Sequence, residues 1–118
     1  MIKILLVFIL TLILLFTGTI GGRTFLDGKR QVGDKILYQE YIQAAGSPLH
    51  RVNRQVAFDG LKGRKVTMIN VTDLALPTSE KGGRVSLLSG GAGYTFAILD
   101  FRSEISKGLN FEVVIYGK

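Results

Sequence analysis

Three observations predict an all-β chain, folded as a small single-domain antiparallel β-sandwich of about six to seven strands. Apolar residues alternate with polar ones over short runs past Arg23, β-branched and aromatic residues fill those runs, and glycine-bearing turns separate them. Residues 22–118 are read as that domain and residues 1–21 as a leader removed before it folds.

The leader comes first. Lys3 precedes the apolar run Ile4–Phe16, and the small residues Thr17, Gly18, Thr19, Gly21 and Gly22 follow it. A basic start, a short apolar stretch and a small-residue exit form the pattern of a secretory signal peptide. A membrane-spanning helix needs about 20 apolar residues. Thr11 interrupts this run, so cleavage after Thr19 or Gly21 is expected rather than a stable membrane anchor.

The strands then follow in order. Lys35–Gln43 sets Ile36, Tyr38 and Ile42 against Leu37, Gln39 and Tyr41, a near alternation that suits a half-buried strand. His50–Phe58 alternates through Val52, Arg54 and Val56, and Arg64–Thr72 carries Val66, Met68, Ile69 and Val71. Asp59-Gly60 is a hairpin signal between them, although Leu61-Lys62-Gly63 makes the loop longer than the favoured two residues. Asp73–Lys81 reads as an irregular crossover, because Pro77 has no donor for a strand ladder. Further strands are predicted at Arg84–Ser89, Tyr94–Arg102 and Phe111–Tyr116. The last two are apolar on both sides. Two packed sheets bury most of that surface, whereas one open layer would expose it.

With the leader removed, about 100 residues remain, enough for one modest core. The sequence has no cysteine, so a disulfide framework and thiolate metal ligation are both excluded, and packing alone must hold the domain. The formal net charge of +6 favours anionic partners, including glycans and membrane headgroups. No domain boundary, internal repeat or low-complexity tract divides the domain.

Catalytic and cofactor chemistry finds little material. His50 is the only histidine, it lies among arginines, and a hydrolytic triad needs such a base beside a nucleophile and an orienting acid. A metal site needs clustered His, Cys or carboxylate side chains, and the nine acidic residues are scattered. The chain is therefore read as non-enzymatic, without catalytic, cofactor or metal-binding residues. Gly90-Gly91-Ala92-Gly93 lacks the Gly-Lys-Ser/Thr continuation of a phosphate loop and reads as a tight turn. Arg51, Arg54, Lys62, Arg64 and Lys65 form the densest basic region and a candidate anion-binding patch if their strands make a hairpin. Strand alternation puts Arg51 and Arg54 on opposite faces. No nucleic-acid recognition motif accompanies the patch, so specific nucleic acid binding is not expected. Asn70-Val71-Thr72 is an acceptor for N-glycosylation, meaningful if the leader sends the chain along the secretory route. Asn70 shares a predicted face with Val66 and Met68, which places it near the core.

Longer motifs add a family resemblance. Ser89–Gly93, the strand through Asp100-Phe101-Arg102-Ser103, and the ending Gly108-Leu109-Asn110-Phe111-Glu112-Val113-Val114-Ile115-Tyr116-Gly117 resemble the closing signature of the insect multiprotein bridging factor two family. Gly33-Asp34-Lys35-Ile36-Leu37-Tyr38-Gln39-Glu40-Tyr41 resembles its opening strand. The resemblance spans nearly the whole domain and implies an arthropod source. It also implies one of two roles. The family is named for a transcription coactivator that bridges an activator to the basal machinery, while many members carry leaders and are described as probable salivary secreted peptides. A tryptophan-bearing segment often follows the third strand in the family. Here Leu74-Ala75-Leu76-Pro77 stands in that place.

Three functional classes follow from this reading. The first is a secreted extracellular protein that acts by binding a protein or an anionic glycan. The second is a nuclear coactivator. The third is an extracellular carrier of a small apolar ligand, with the two-sided strands lining a pocket. Self-association through Tyr94, Phe96, Phe101 or Tyr116 is compatible with all three.

Overall fold

The computed structural model describes residues 24–75 and 83–118, so the leader and most of the Asp73–Lys81 crossover lie outside the described residues. Those residues form β1 (Thr24–Gly28), β2 (Lys35–Ala44), β3 (Asn53–Asp59), β4 (Val66–Asp73), β5 (Arg84–Gly90), β6 (Phe96–Arg102) and β7 (Leu109–Gly117). A single 3-10 turn, Leu61–Gly63, precedes β4. One sheet has the order β1-β4-β7-β2 and the other β3-β6-β5, with every pairing antiparallel. The chain thus forms the two-sheet, all-β architecture that its periodicity predicts.

Alternation decides what lies between the sheets. On β6, Ala97, Leu99 and Phe101 are buried, while Phe96 and Ile98 on the other face are partly open. On β7, Phe111, Val113 and Ile115 point inward, paired through the register with Val71 and Ile69 of β4. The Phe101 and Phe111 rings meet across the gap with centroids 5.4 Å apart, and Tyr38 and Phe58 do the same at 5.8 Å nearer one side. These inward residues pack on one another as a core instead of lining a ligand cavity between the sheets. Phe101 is fully buried, which removes it from any self-association surface.

Several boundaries differ from the sequence reading. β1 is unforeseen, because five residues with the adjacent apolar pair Phe25-Leu26 show no legible period. β3 begins at Asn53 rather than His50, since Val52 is held by Ser103: its amide donates to Ser103 Oγ and its carbonyl accepts from the Ser103 amide. β3 and β4 belong to different sheets and make no hairpin. The segment between them crosses from one sheet to the other, anchored where the Gly60 amide donates to the Thr95 carbonyl at 2.7 Å.

A β-bulge between Val66 and Met68 resets the faces of β4. Val66 is buried, but Met68, Asn70 and Thr72 lie on the outward face of the larger sheet, opposite Tyr116, Val114 and Glu112. Asn70 is therefore outside the core, half-buried rather than enclosed, contrary to the simple alternation.

Truncating the ring at the centre of the core gives a direct check on this packing. Phe101→Ala removes a fully buried ring and is expected to cost about 3–5 kcal/mol, measurable as a lower urea midpoint with an unchanged slope.

Candidate functional site

Among the described residues, one end of the sandwich gathers most of the unpaired positive charge. The β1–β2 connection, the β3–β4 crossing, the β5–β6 turn and the final Lys118 converge there, because β1, β3, β5 and β7 end where β2, β4 and β6 begin. Among the described residues, the side chains of Lys29, Lys62, Arg64, Lys65 and Lys118 make no hydrogen bond or ion pair. Lys29, Lys65 and Lys118, with Gln31, Thr67 and Gly93, line an open concavity of about 600 Å3 at its middle.

Backbone hydrogen bonds hold these loops to one another. Val66 donates to the Tyr94 carbonyl and accepts from the Gly93 amide, both at 2.8 Å, so the β5–β6 turn of one sheet is bonded to the first residue of β4 in the other. The Ala92 amide donates to Asp27 Oδ2 at 2.8 Å, which fastens the same turn to β1. Lys65 and Lys118 exchange both backbone bonds, and Lys29 donates to the Thr67 carbonyl. The Gly90–Gly93 segment is the tight turn that its sequence predicts. Gly90 has φ of 73°, and a Cβ there would come 2.2 Å from the Phe96 carbonyl oxygen, so only glycine fits.

Asp34 organises the β1–β2 connection. Its carboxylate accepts from the Gln31 amide at 2.7 Å, from Arg30 Nε at 2.8 Å and from Thr67 Oγ1 at 2.9 Å. The Gln31 amide does most to hold its pKa below the ordinary carboxylate value, opposed by partial burial and helped by Arg30 and Thr67. The Arg30 guanidinium lies 4.0 Å from the centroid of the Tyr116 ring, a cation–π contact that keeps Tyr116 from standing free on the outer face. Arg30 is thus engaged in the fold, and the charge available to a partner comes from its lysine neighbours and Arg64.

The basic region expected from the sequence is divided by the fold. Lys62, Arg64 and Lys65 belong to this end, where Lys29 and Lys118 join them. Arg51 and Arg54 sit at the opposite end, where Arg51 Nη1 donates to the Ser103 carbonyl and Arg54 Nη1 to that of Asn53. The division follows from the missing hairpin: β3 runs the length of the molecule between the two groups. Sequence reasoning missed Lys29 and Lys118, which are far from Lys65 in the chain and meet it only through the β1–β4 and β4–β7 pairings. His50 is exposed in the loop before β3, held through its backbone to Ser47 and Ser106. Asn70 and Thr72 share the outward face of the larger sheet, and the Asn70 Oδ1 has no hydrogen-bond partner. Among the described residues no group of three or more His, Cys, Asp or Glu side chains is placed to hold a metal ion.

A second concavity, about 470 Å3, opens between the edge strands β2 and β3, with Leu37, Tyr38, Phe58 and Leu61 among its lining residues. It opens outward and shares the Leu61–Gly63 turn with the cationic end.

The architecture is a two-sheet β-sandwich that presents a cationic set of bonded loops. The family model described as Transcription activator MBF2 matches residues 28–117, and the chain belongs to that family. No curated protein matches the chain.

The Asp34 contacts predict a pH signature with a definite sign. A carboxylate with a depressed folded-state pKa stabilises the fold above its unfolded pKa of about 3.9, and that contribution is lost as pH falls towards the folded value. Asp34→Asn is expected to lower the thermal midpoint at pH 7, with the gap to the unaltered protein closing below about pH 4, as followed by circular dichroism melts.

Proposed function

We propose that the chain is a secreted, non-enzymatic binding protein that engages an anionic macromolecule through its cationic loop end. The observation that carries the reading is the set of unpaired cations at one end of the described residues, with Lys29, Lys65 and Lys118 lining one concavity and Lys62 and Arg64 lining the neighbouring cleft. Such a set raises the local concentration of anionic partners and speeds their encounter. The extracellular half of the proposal rests on Lys3, the apolar run Ile4–Phe16 and the small residues before Arg23.

Nuclear coactivation is the second reading, favoured by the description of the matched family. On that reading the same surface would take an acidic face of a transcription protein, and the first residues would stay attached. The outward cleft between β2 and β3 is the feature that would serve the third role, a carrier of an apolar ligand.

Expression of the full chain in insect cells separates the first two readings by the location and N-terminus of the product. Recovery from the medium, beginning near Ile20 or Gly22, is the expected result; a nuclear pool with Met1 intact would make coactivation the better account. The same intact mass reports on Asn70. Asn70 is half-buried in a paired strand with its Oδ1 enclosed, whereas acceptors in use sit on surface loops, so a mass equal to the bare polypeptide is expected and an increment removed by Asn70→Gln would show a glycan there.

Heparin chromatography tests the binding surface itself. Lys62→Ser, Arg64→Ser and Lys65→Ser together should bring elution to markedly lower salt, whereas Arg51→Ser with Arg54→Ser should shift it little. Equal shifts from the two sets would mean that general charge, rather than this end, governs retention.

A further inference from the structure

Each of the three loops at the cationic end lifts one large apolar side chain into solvent. Val32 is 96% exposed at the tip of the β1–β2 connection and Leu61 78% exposed in the turn before β4. Tyr94, after the Gly90–Gly93 turn, is 57% exposed. Leaving such residues in water forgoes about 1.5–3 kcal/mol of burial apiece for the two aliphatic ones. Val32 stands in the turn closed by the Asp34 amide on the Gln31 carbonyl, and Leu61 sits where the chain crosses between sheets. Lys29, Lys62, Arg64, Lys65 and Lys118 surround these tips.

We propose that this end docks peripherally on an anionic phospholipid bilayer, with Val32, Leu61 and Tyr94 entering the headgroup region and the surrounding cations meeting lipid phosphates. The inference rests on the cationic end being the binding surface and narrows the partner to a lipid surface. Charge complementarity alone suits any polyanion, but a sulfated glycan offers nothing to three apolar tips. A bilayer interface does: aliphatic side chains gain burial in its acyl boundary, and tyrosine prefers the headgroup level. The backbone bonds of Asp34 to Gln31, Gly60 to Thr95 and Val66 to Tyr94 hold the three loops in place before contact, so little ordering cost falls on docking. The opposite end also exposes Leu49 and Ile105 and carries Arg84 and Arg102, yet there Lys107 is paired with Glu104, Arg51 and Arg54 are bonded to backbone carbonyls, and Asp100 and Glu104 share the concavity lined by Arg51, Arg84 and Arg102. Among the described residues no helix is long and apolar enough to cross a membrane, and the contact proposed here is made by loops alone.

The test is flotation of the protein, expressed from its full reading frame in insect cells and purified from whichever compartment holds it. The vesicles are phosphatidylcholine with and without phosphatidylserine, and heparin retention is measured in parallel. Binding is expected only with phosphatidylserine and should weaken as salt rises. It should fall about tenfold with Leu61→Ser, further with Val32→Ser added, and about fivefold for each of Lys62, Arg64 and Lys65 replaced by Ser. Leu49→Ser should change nothing, and unchanged thermal midpoints confirm that each variant is folded. Heparin retention without vesicle binding would overturn the lipid proposal while leaving the anionic-partner reading in place. Failure to bind either would overturn both. Vesicle binding insensitive to Val32 and Leu61 would also overturn it, since charge alone would then explain the contact.

Discussion

Val66 is the residue on which the two sheets and the loop end jointly depend. It opens β4 in the larger sheet, yet its amide and carbonyl are both bonded to the turn that joins β5 to β6 in the smaller one. The side chain is buried in the common core at the same time. Removing those two backbone bonds would leave buried polar groups unsatisfied, at a cost of about 1–3 kcal/mol each. The β5–β6 turn therefore follows β4, and what β4 presents on its outer side follows the bulge after Val66.

Packing supplies the rest. A chain without cysteine has no covalent tie between its sheets, so beyond these backbone bonds the core holds them together, built from the inward rows of β4, β6 and β7 and centred on Phe101 against Phe111. With the interior committed to packing, specificity has to reside on the surface. Of the surfaces available, the outer face of the larger sheet is mixed, with Val114 and Met68 beside Asn70, Thr72 and Glu112. Among the described residues, the loop end brings five unpaired cations and three exposed apolar tips together in bonded geometry, whereas Arg51, Arg84 and Arg102 of the opposite end share their concavity with Asp100 and Glu104. A solvated set of lysines would explain the charge alone. It would not explain why three separate loops each place an apolar tip among them.

Much of this fold was legible in the amino-acid order. β6 and β7 announce themselves by apolar residues on both sides, and Gly90-Gly91-Ala92-Gly93 reads directly as the turn it forms. β1 was not legible, because a five-residue edge strand carries too few alternations to show a period. The face of Asn70 is hidden for a different reason: a single bulge shifts the parity of every residue after it, and no local composition marks the bulge at Val66. The candidate site was half visible. Lys62, Arg64 and Lys65 are contiguous in the chain, whereas Lys29 and Lys118 join them only through long-range strand pairing. Asp59-Gly60 imitates a hairpin that would bring Arg51 and Arg54 to them, when the chain there changes sheets.

The loop end is a bonded surface rather than a set of independent flexible loops. Amide hydrogen exchange of the free protein tests this residue by residue. Protection at Gly60, Val66, Gly91 and Gly93 comparable to that of the β6 and β7 amides is the predicted result, since each of these amides donates a backbone bond that joins loops or closes the β5–β6 turn. Exchange at those amides as fast as in an open loop would contradict it.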